Sequence, residues 1–444
     1  MAEIRPFRAL HYNQRKIKDL STVITQPYDK ISPDMQSRYY TASPHNLVRV
    51  IKGKETPDDS PQENVYTRAH RDLSDWIKKE VLISDPEPAI YPYSQEYAVP
   101  GQPAVTKERR GFIALLKLEE YSAKVVHRHE ETLSGPKADR MELLKKTQAH
   151  NGQVFFLYSD TKGEVEAALA AHTKAAPWEQ LKDEYGTLHS VWRMAAGAAE
   201  PVIQGMMDKK LVIADGHHRY ETALAYRNLR RAEAGYDGRA DYVMATFIRM
   251  ETDGLTILPT HRVVHSLKGF EWAKFASEVK GTFECTEMDA TPALANSGKA
   301  LQMALAAAGR KQPSLVAYAG NGKLALLSLR PDFNLAQALP DLSEQQRRLD
   351  VIILHRLIIE RALSISLEDV KQEKNLHYYR GLAEAVAEVD LGKAQICFLM
   401  NSTPIEAVRN IAFAGQVMPQ KSTDFYPKLL SGLTIYWLGN PLGI

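Results

Sequence analysis

Apolar and polar residues alternate over 89–98 and again over 111–118, on either side of the turn pair Pro100-Gly101, and this period of two predicts a β-hairpin. The polar stretch 52–64 reads as an exposed loop, and the pattern after it predicts a helix over 65–78. Farther on, strands are expected at 154–158 and at the apolar run Leu211-Val212-Ile213-Ala214, with helices over 164–172 and after Glu200. The alternating runs 242–250 and 256–264 flank Glu251-Thr252-Asp253-Gly254, and Asp-Gly in that place predicts a second hairpin.

Beyond Leu267 the Ala-rich segment 293–308 and the apolar run 349–363 predict helices, and 394–400 predicts a strand. Thr403-Pro404-Ile405-Glu406 has the form of a capping box with proline at the first helical position, so a helix should begin there. The sum is a mixed α/β protein. Its expected parts are an N-terminal α/β segment over 1–110, a core over 111–270 and a C-terminal α/β domain over 271–444.

Composition narrows the class. With 44% hydrophobic and 25% charged residues over 444 positions, the chain is neither disordered nor fibrous. A net charge of +2 provides no overall field for nucleic acid or anionic lipid, so neither partner is expected. The run 351–363 is broken by His355, Arg356, Glu360 and Arg361, and the N-terminus lacks the apolar stretch of a signal peptide. Cys285 and Cys397 stand far apart without zinc or disulfide spacing. A cytoplasmic protein acting on a small molecule is the expectation, with a homo-oligomer left open.

The segment Asp215-Gly216-His217-His218-Arg219 carries the most chemistry. It follows an apolar strand, and Tyr220, Ala223 and Leu224 then recur at helical spacing, which puts it at a strand-to-helix junction. Backbone N–H groups gather there, glycine allows close approach, and Arg219 adds a planar donor fork: together an anion site. His217 and His218 can add hydrogen bonds or transfer protons. The bland reading, Asp215 as a cap and the histidines as buried polar groups, has comparable weight for so short a motif.

A second cluster spans 125–140. Gly135-Pro136 opens a helix that places Lys137 in its first turn, where a cation opposes the macrodipole unless an anion sits between them. Glu130 can accept a hydroxyl proton or hold magnesium, Glu131 is its near competitor, and His127 and His129 can accept a proton too. A solvated charged loop is the alternative. Pro27-Tyr28-Asp29 is a turn presenting a carboxylate, His261 and Arg262 alternate on a strand, and Lys421, Ser422 and Lys428 lie in a donor-rich loop bracketed by prolines.

Five motifs in order, Gln26-Pro27-Tyr28-Asp29-Lys30-Ile31-Ser32, Gly135-Pro136-Lys137-Ala138-Asp139-Arg140, Asp215-Gly216-His217-His218-Arg219-Tyr220, Leu258-Pro259-Thr260-His261-Arg262 and Met418-Pro419-Gln420-Lys421-Ser422-Thr423, resemble the family called domain of unknown function 1015. The resemblance spans nearly the whole chain. That family is similar to the ParB/sulfiredoxin-like superfamily, and this implies a ParB/sulfiredoxin-like core that binds nucleotide phosphates on the Asp215–Arg219 box. His217 stands where sulfiredoxin has its reactive cysteine, which argues against sulfinic-acid reduction, and no basic reading helix suggests a partition protein.

The free-serine kinase branch remains. It implies ATP or ADP with magnesium, and serine or phosphoserine as substrate. Asp215, Gly216, His217, His218, Arg219, Lys137, Arg140 and Lys421 would hold phosphates. Glu130, His217 and His218 would be catalytic, and Asp215 and Glu130 would hold the metal. A phosphoserine phosphatase and a non-catalytic nucleotide-binding regulator are the alternatives.

Overall fold

The strands Ala89–Val99 and Gln102–Lys117 pair antiparallel through the predicted hairpin and stand inside the largest sheet. The computed structural model describes residues 1–131 and 135–439, which fall into two units. The first holds the described residues of Met1–Arg128, Thr132–Thr256 and Pro427–Ile444; the second holds His129–Glu131 and Ile257–Tyr426. Thr132, Leu133 and Ser134, within the second cluster of the sequence, lie outside the described residues. Residue 110 falls inside the strand Gln102–Lys117, and the first unit passes to the second between Thr256 and Ile257.

The first unit is built on a sheet of ten strands among the described residues. Its path runs from Val126–His127 through Leu211–Asp215, Val154–Tyr158 and Tyr242–Arg249 to the hairpin, and on to Leu188–Val191 and Glu179–Lys182. Alternation sorts its faces. Phe112, Ala114, Leu116, Phe156, Ile213 and Phe247 turn to one side, where Val165, Val202, Met206, Tyr220 and Ala223 from three helices complete an apolar core. Gln95, Arg109, His189 and Thr246 are also buried and must find hydrogen bonds inside the protein.

After leaving for the second unit, the chain returns to close the first. Ser431 exchanges backbone hydrogen bonds with Thr25, Ile435 does so with Leu10, and Tyr436–Trp437 pairs with Ala149–His150.

The second unit is a six-stranded antiparallel sheet covered on both faces. Leu315 and Ala317 face the helical stretch from Asp350 to Ala362, whereas Val316 and Tyr318 face the helices Ala290–Gly309 and Leu382–Asp390. Burial on both sides explains why Ser314–Tyr318 and Ile396–Met400 read as unbroken apolar runs.

Two local expectations are corrected. The strands Tyr242–Arg249 and His261–Val264 do not form a hairpin: the first pairs with Gln102–Lys117 and Val154–Tyr158, the second with Leu376–Tyr379 and Ile396–Met400. Gly254 instead lies against neighbouring backbone, where a Cβ would come within 2.0 Å of the Glu108 carbonyl, and Tyr97 Oη donates to its carbonyl at 2.8 Å. The capping box at Thr403 does not form either. The helix Ile405–Phe413 starts one residue later, so Pro404, which has no polar side chain, occupies the cap, and Thr403 Oγ1 donates to the Ser422 carbonyl at 2.9 Å. No helix among the described residues is long and apolar enough to cross a membrane.

Candidate functional site

The strand Leu211–Asp215 is buried through Ala214, and a register shift between Ile213 and Asp215 passes over Ala214, so that Asp215 pairs with Phe155 at the end of the ladder. Gly216 follows with φ of 90°, a conformation costly for any residue with a Cβ, and the helix His217–Arg231 begins at once. A Cβ on Gly216 would lie 2.9 Å from Arg219 Nε, and one on Gly152 would lie 3.3 Å from Arg219 Nη1. Two glycines therefore let the guanidinium fold back over the turn. There Nη2 donates to Asp215 Oδ2 at 2.8 Å and Nη1 donates to the Gln153 carbonyl.

Lys428 Nζ lies 3.4 Å from the other Asp215 oxygen. Burial alone would push this carboxyl up, but Lys428, Arg219, Lys30 and His217 outweigh that and hold it well below the usual carboxylate range. The turn thus collects positive charge around one fixed anion.

The Tyr28–Lys30 turn contributes to the same place in the first unit. Arg140 lies over the Tyr28 ring at 4.0 Å and donates to the Ile51 carbonyl at 2.9 Å and to Asp139 Oδ2 at 2.8 Å. Burial and Asp29 push the Tyr28 hydroxyl up to about 12 against the opposing pull of Arg140 and Arg219. Sequence reasoning missed Arg109. It is fully buried, donates through Nε to Gln95 Oε1 at 3.0 Å, and lies 4.9 Å over the Phe155 ring. Burial brings it down to about 10, while Asp215 favours its charged form.

Lys137 stands in the first turn of the helix Gly135–Thr147, and its ammonium pairs with Glu221 Oε2 of the helix His217–Arg231. A carboxylate of the protein thus offsets its unfavourable place on the macrodipole. Sequence signals for the buried polar run His150-Asn151-Gly152-Gln153 did exist: a short glycine-containing stretch before an apolar strand.

Glu130 and Lys421 belong to the second unit and meet each other. Lys421 N donates to Glu130 Oε1 at 2.8 Å, Met418 N donates to the His129 carbonyl at 2.8 Å, and His129 Nε2 shares a hydrogen bond of 2.8 Å with Thr423 Oγ1. Lys421 itself has φ of 58°. Arg262, buried in this unit, donates to the Lys421 carbonyl at 3.0 Å and through Nε to His355 at 3.4 Å. Burial lowers its pKa to about 10, and Glu130 opposes that shift.

A protein-held magnesium ion does not fit these donors. Both oxygens of Asp215 face cations, and no group of three or more His, Cys, Asp or Glu among the described residues could hold a metal.

The sequence model described as "Protein of unknown function (DUF1015)" matches residues 4–352. The chain belongs to this family. No curated protein matches it. Solved structures similar to this DUF1015 chain include a conserved hypothetical protein from Pyrococcus furiosus, with 12% identity and a TM-score of 0.34, covering 70% of this chain and 92% of that one. A free serine kinase in complex with AMP has 12% identity and a TM-score of 0.35 over 70% of this chain and 89% of its own. SbnI from Staphylococcus aureus, truncated at its C-terminus, has 10% identity and a TM-score of 0.34 over 72% and 87%.

Proposed function

We propose that the first unit grips the phosphates of a nucleotide, ATP or ADP, at Asp215, Gly216, His217, His218 and Arg219, and that the protein is a phosphotransferase acting on a small hydroxylated metabolite. Serine is the acceptor to test first, and residues 111–270 are read as a ParB/sulfiredoxin-like core. The observation that supports this is the arrangement of Arg219 and Lys428 around Asp215 at a helix N-terminus opened by Gly216. Preformed cations and helix N–H groups favour phosphate, and phosphoryl transfer asks mainly for positioning and charge neutralisation.

Asp215 acts here as the anchor that fixes two cations before a ligand arrives. Arg140 sits on Tyr28 and adds charge to the same region. Any magnesium would enter on the nucleotide's phosphates. Glu130 is proposed as the general base, its carboxylate oriented by Lys421 N.

Calorimetry with ATP, ADP and pyrophosphate on wild type and Arg219→Ala tests the grip, and incubation with serine plus each donor, or with phosphoserine alone, tests the reaction. Equal affinities in both proteins would remove the turn as the site. Phosphate release from phosphoserine without nucleotide would replace the kinase reading by a phosphatase.

A further inference from the structure

At one end of the second unit's sheet, where the strand Ile396–Met400 stops and the helix Ile405–Phe413 starts, lies a cleft of about 700 Å³. Asp350 and Asn401 stand in its wall. The Asp350 carboxyl accepts from the Asn401 amide and from Ser314 N, both neutral donors, and it meets no cation among the described residues. Burial pushes it up to about 6 against these two bonds. Asp350 and Asn401 both keep part of their surface exposed, so a ligand in the cleft can reach them.

Positive charge stands close by. Gly309 packs so tightly on the Asn401 side chain that a Cβ would come within 2.4 Å of Nδ2, and this glycine delivers the next two residues, Arg310 and Lys311, to the same cleft. Both are exposed, and neither has a carboxylate partner among the described residues. The other two guanidiniums of the cleft are already engaged: Arg348 meets Glu344 at 2.7 Å, and Arg262 donates to the carbonyls of Thr260 and Lys421. Glu406, exposed in the first turn of the helix Ile405–Phe413, adds a second carboxylate to the wall. A roomy cleft with polar groups of both signs and a perturbed carboxyl has the make-up of a small-molecule site.

We infer that this cleft binds a small amino acid, its ammonium on Asp350 and its carboxylate on Arg310 and Lys311. An ammonium offers three donors to a carboxyl that so far has only neutral partners, and a guanidinium fork matches a carboxylate. Charge then sets the selectivity. Asp350 disfavours a dicarboxylate, and Arg310 and Lys311 disfavour a diamine, so a zwitterion is preferred over both. The site lies wholly in the second unit and does not rest on the phosphate grip proposed for the first.

Ligand-observed NMR on the full chain with glycine, β-alanine, 4-aminobutanoate and 6-aminohexanoate varies the distance between the two charges. Succinate and 1,4-diaminobutane are the controls with one sign of charge only. One member of the series should bind, tighter than either control by about tenfold. Asp350→Asn keeps an oxygen for Asn401 and Ser314 N, and Lys311→Met changes an exposed side chain, so neither puts the fold at stake; each should weaken that ligand by about tenfold. Binding should also fade from pH 7 to pH 5 as Asp350 takes up its proton, and it should stay level in Asp350→Asn. Three results overturn the inference: no member of the series binding at millimolar concentration, a control binding as tightly as the best of the series, or equal affinities in wild type and both variants.

Discussion

Arg219 and Asp215, four residues apart across a glycine turn, meet at 2.8 Å, and the same guanidinium also donates to the Gln153 carbonyl. The pair is a fixed dipole at a helix N-terminus, and its consequences differ for the two partners. Arg219→Ala removes a donor fork and leaves Asp215 with less compensation, so phosphate-ester affinity should fall by a factor of about ten or more, the scale of one charged hydrogen bond. Titration calorimetry reads this directly.

Asp215→Asn should do the reverse to binding. It frees Arg219 and Lys428 from their counter-charge, so pyrophosphate should bind at least as tightly as in wild type, while the melting temperature drops because two neighbouring cations lose their anchor. If pyrophosphate affinity collapses instead, the carboxylate takes part in holding the ligand, and its reading as an anchor fails.

Gly216→Ala combines a φ of 90° with a methyl group 2.9 Å from Arg219 Nε. It should cost about 1–3 kcal/mol in denaturant unfolding and displace the guanidinium, so anion binding weakens along with stability. A variant as stable as wild type would show that the turn tolerates another conformation.

In the second unit, His261 accepts from Met400 N through Nδ1 at 3.1 Å. Burial, assisted by Arg262, brings its pKa down to about 4, below the value of about 6.5 for an unfolded chain. The unfolded state therefore takes up the proton first. The stability from a neutral His261 is complete above about pH 6.5 and is lost as pH falls towards 4, by on the order of 3 kcal/mol. Burial pushes His150 of the first unit to about 4 as well, so both units should share this acid window. Urea unfolding of wild type and His261→Gln from pH 7 to 4 checks the sign, and a pH slope unchanged in the variant would exclude His261 as a source.

Glu130 separates a structural from a chemical role. Glu130→Gln keeps an oxygen for Lys421 N, whereas Glu130→Ala loses it, so only the alanine variant should lose about 1 kcal/mol of stability. A general base would show itself by a drop of about 10²-fold in turnover in both variants. Turnover that tracks stability alone would leave Glu130 a loop brace.

Local patterns carried most of the fold. The helix Val65–Lys78, the strand Val154–Tyr158 and the junction at Gly216 are written in neighbouring residues, by a cap, an apolar run and a glycine. What sequence could not show was pairing over distance. The flanks of the Asp253-Gly254 turn predict a hairpin, whereas Tyr242–Arg249 pairs with strands far from it in sequence and Gly254 packs against the Glu108 backbone. Asp215 and Lys428 stand 213 positions apart, and nothing near either names the other. Arg109, outside every motif, is buried against partners that are distant in the chain or unmarked by pattern, Gln95 and the Pro427 carbonyl.

The return of the chain to the first unit after Tyr426 sets an order of events during synthesis. A ribosome can release the strand Leu211–Asp215 and the helix His217–Arg231 long before Lys428 exists, and in that interval Asp215 has Arg219 but no second cation. The second unit must be translated in between. The Asp215–Arg219 turn is therefore among the last parts of the molecule to be finished, and nascent chains arrested before Lys428 emerges should carry the motif without its completed charge.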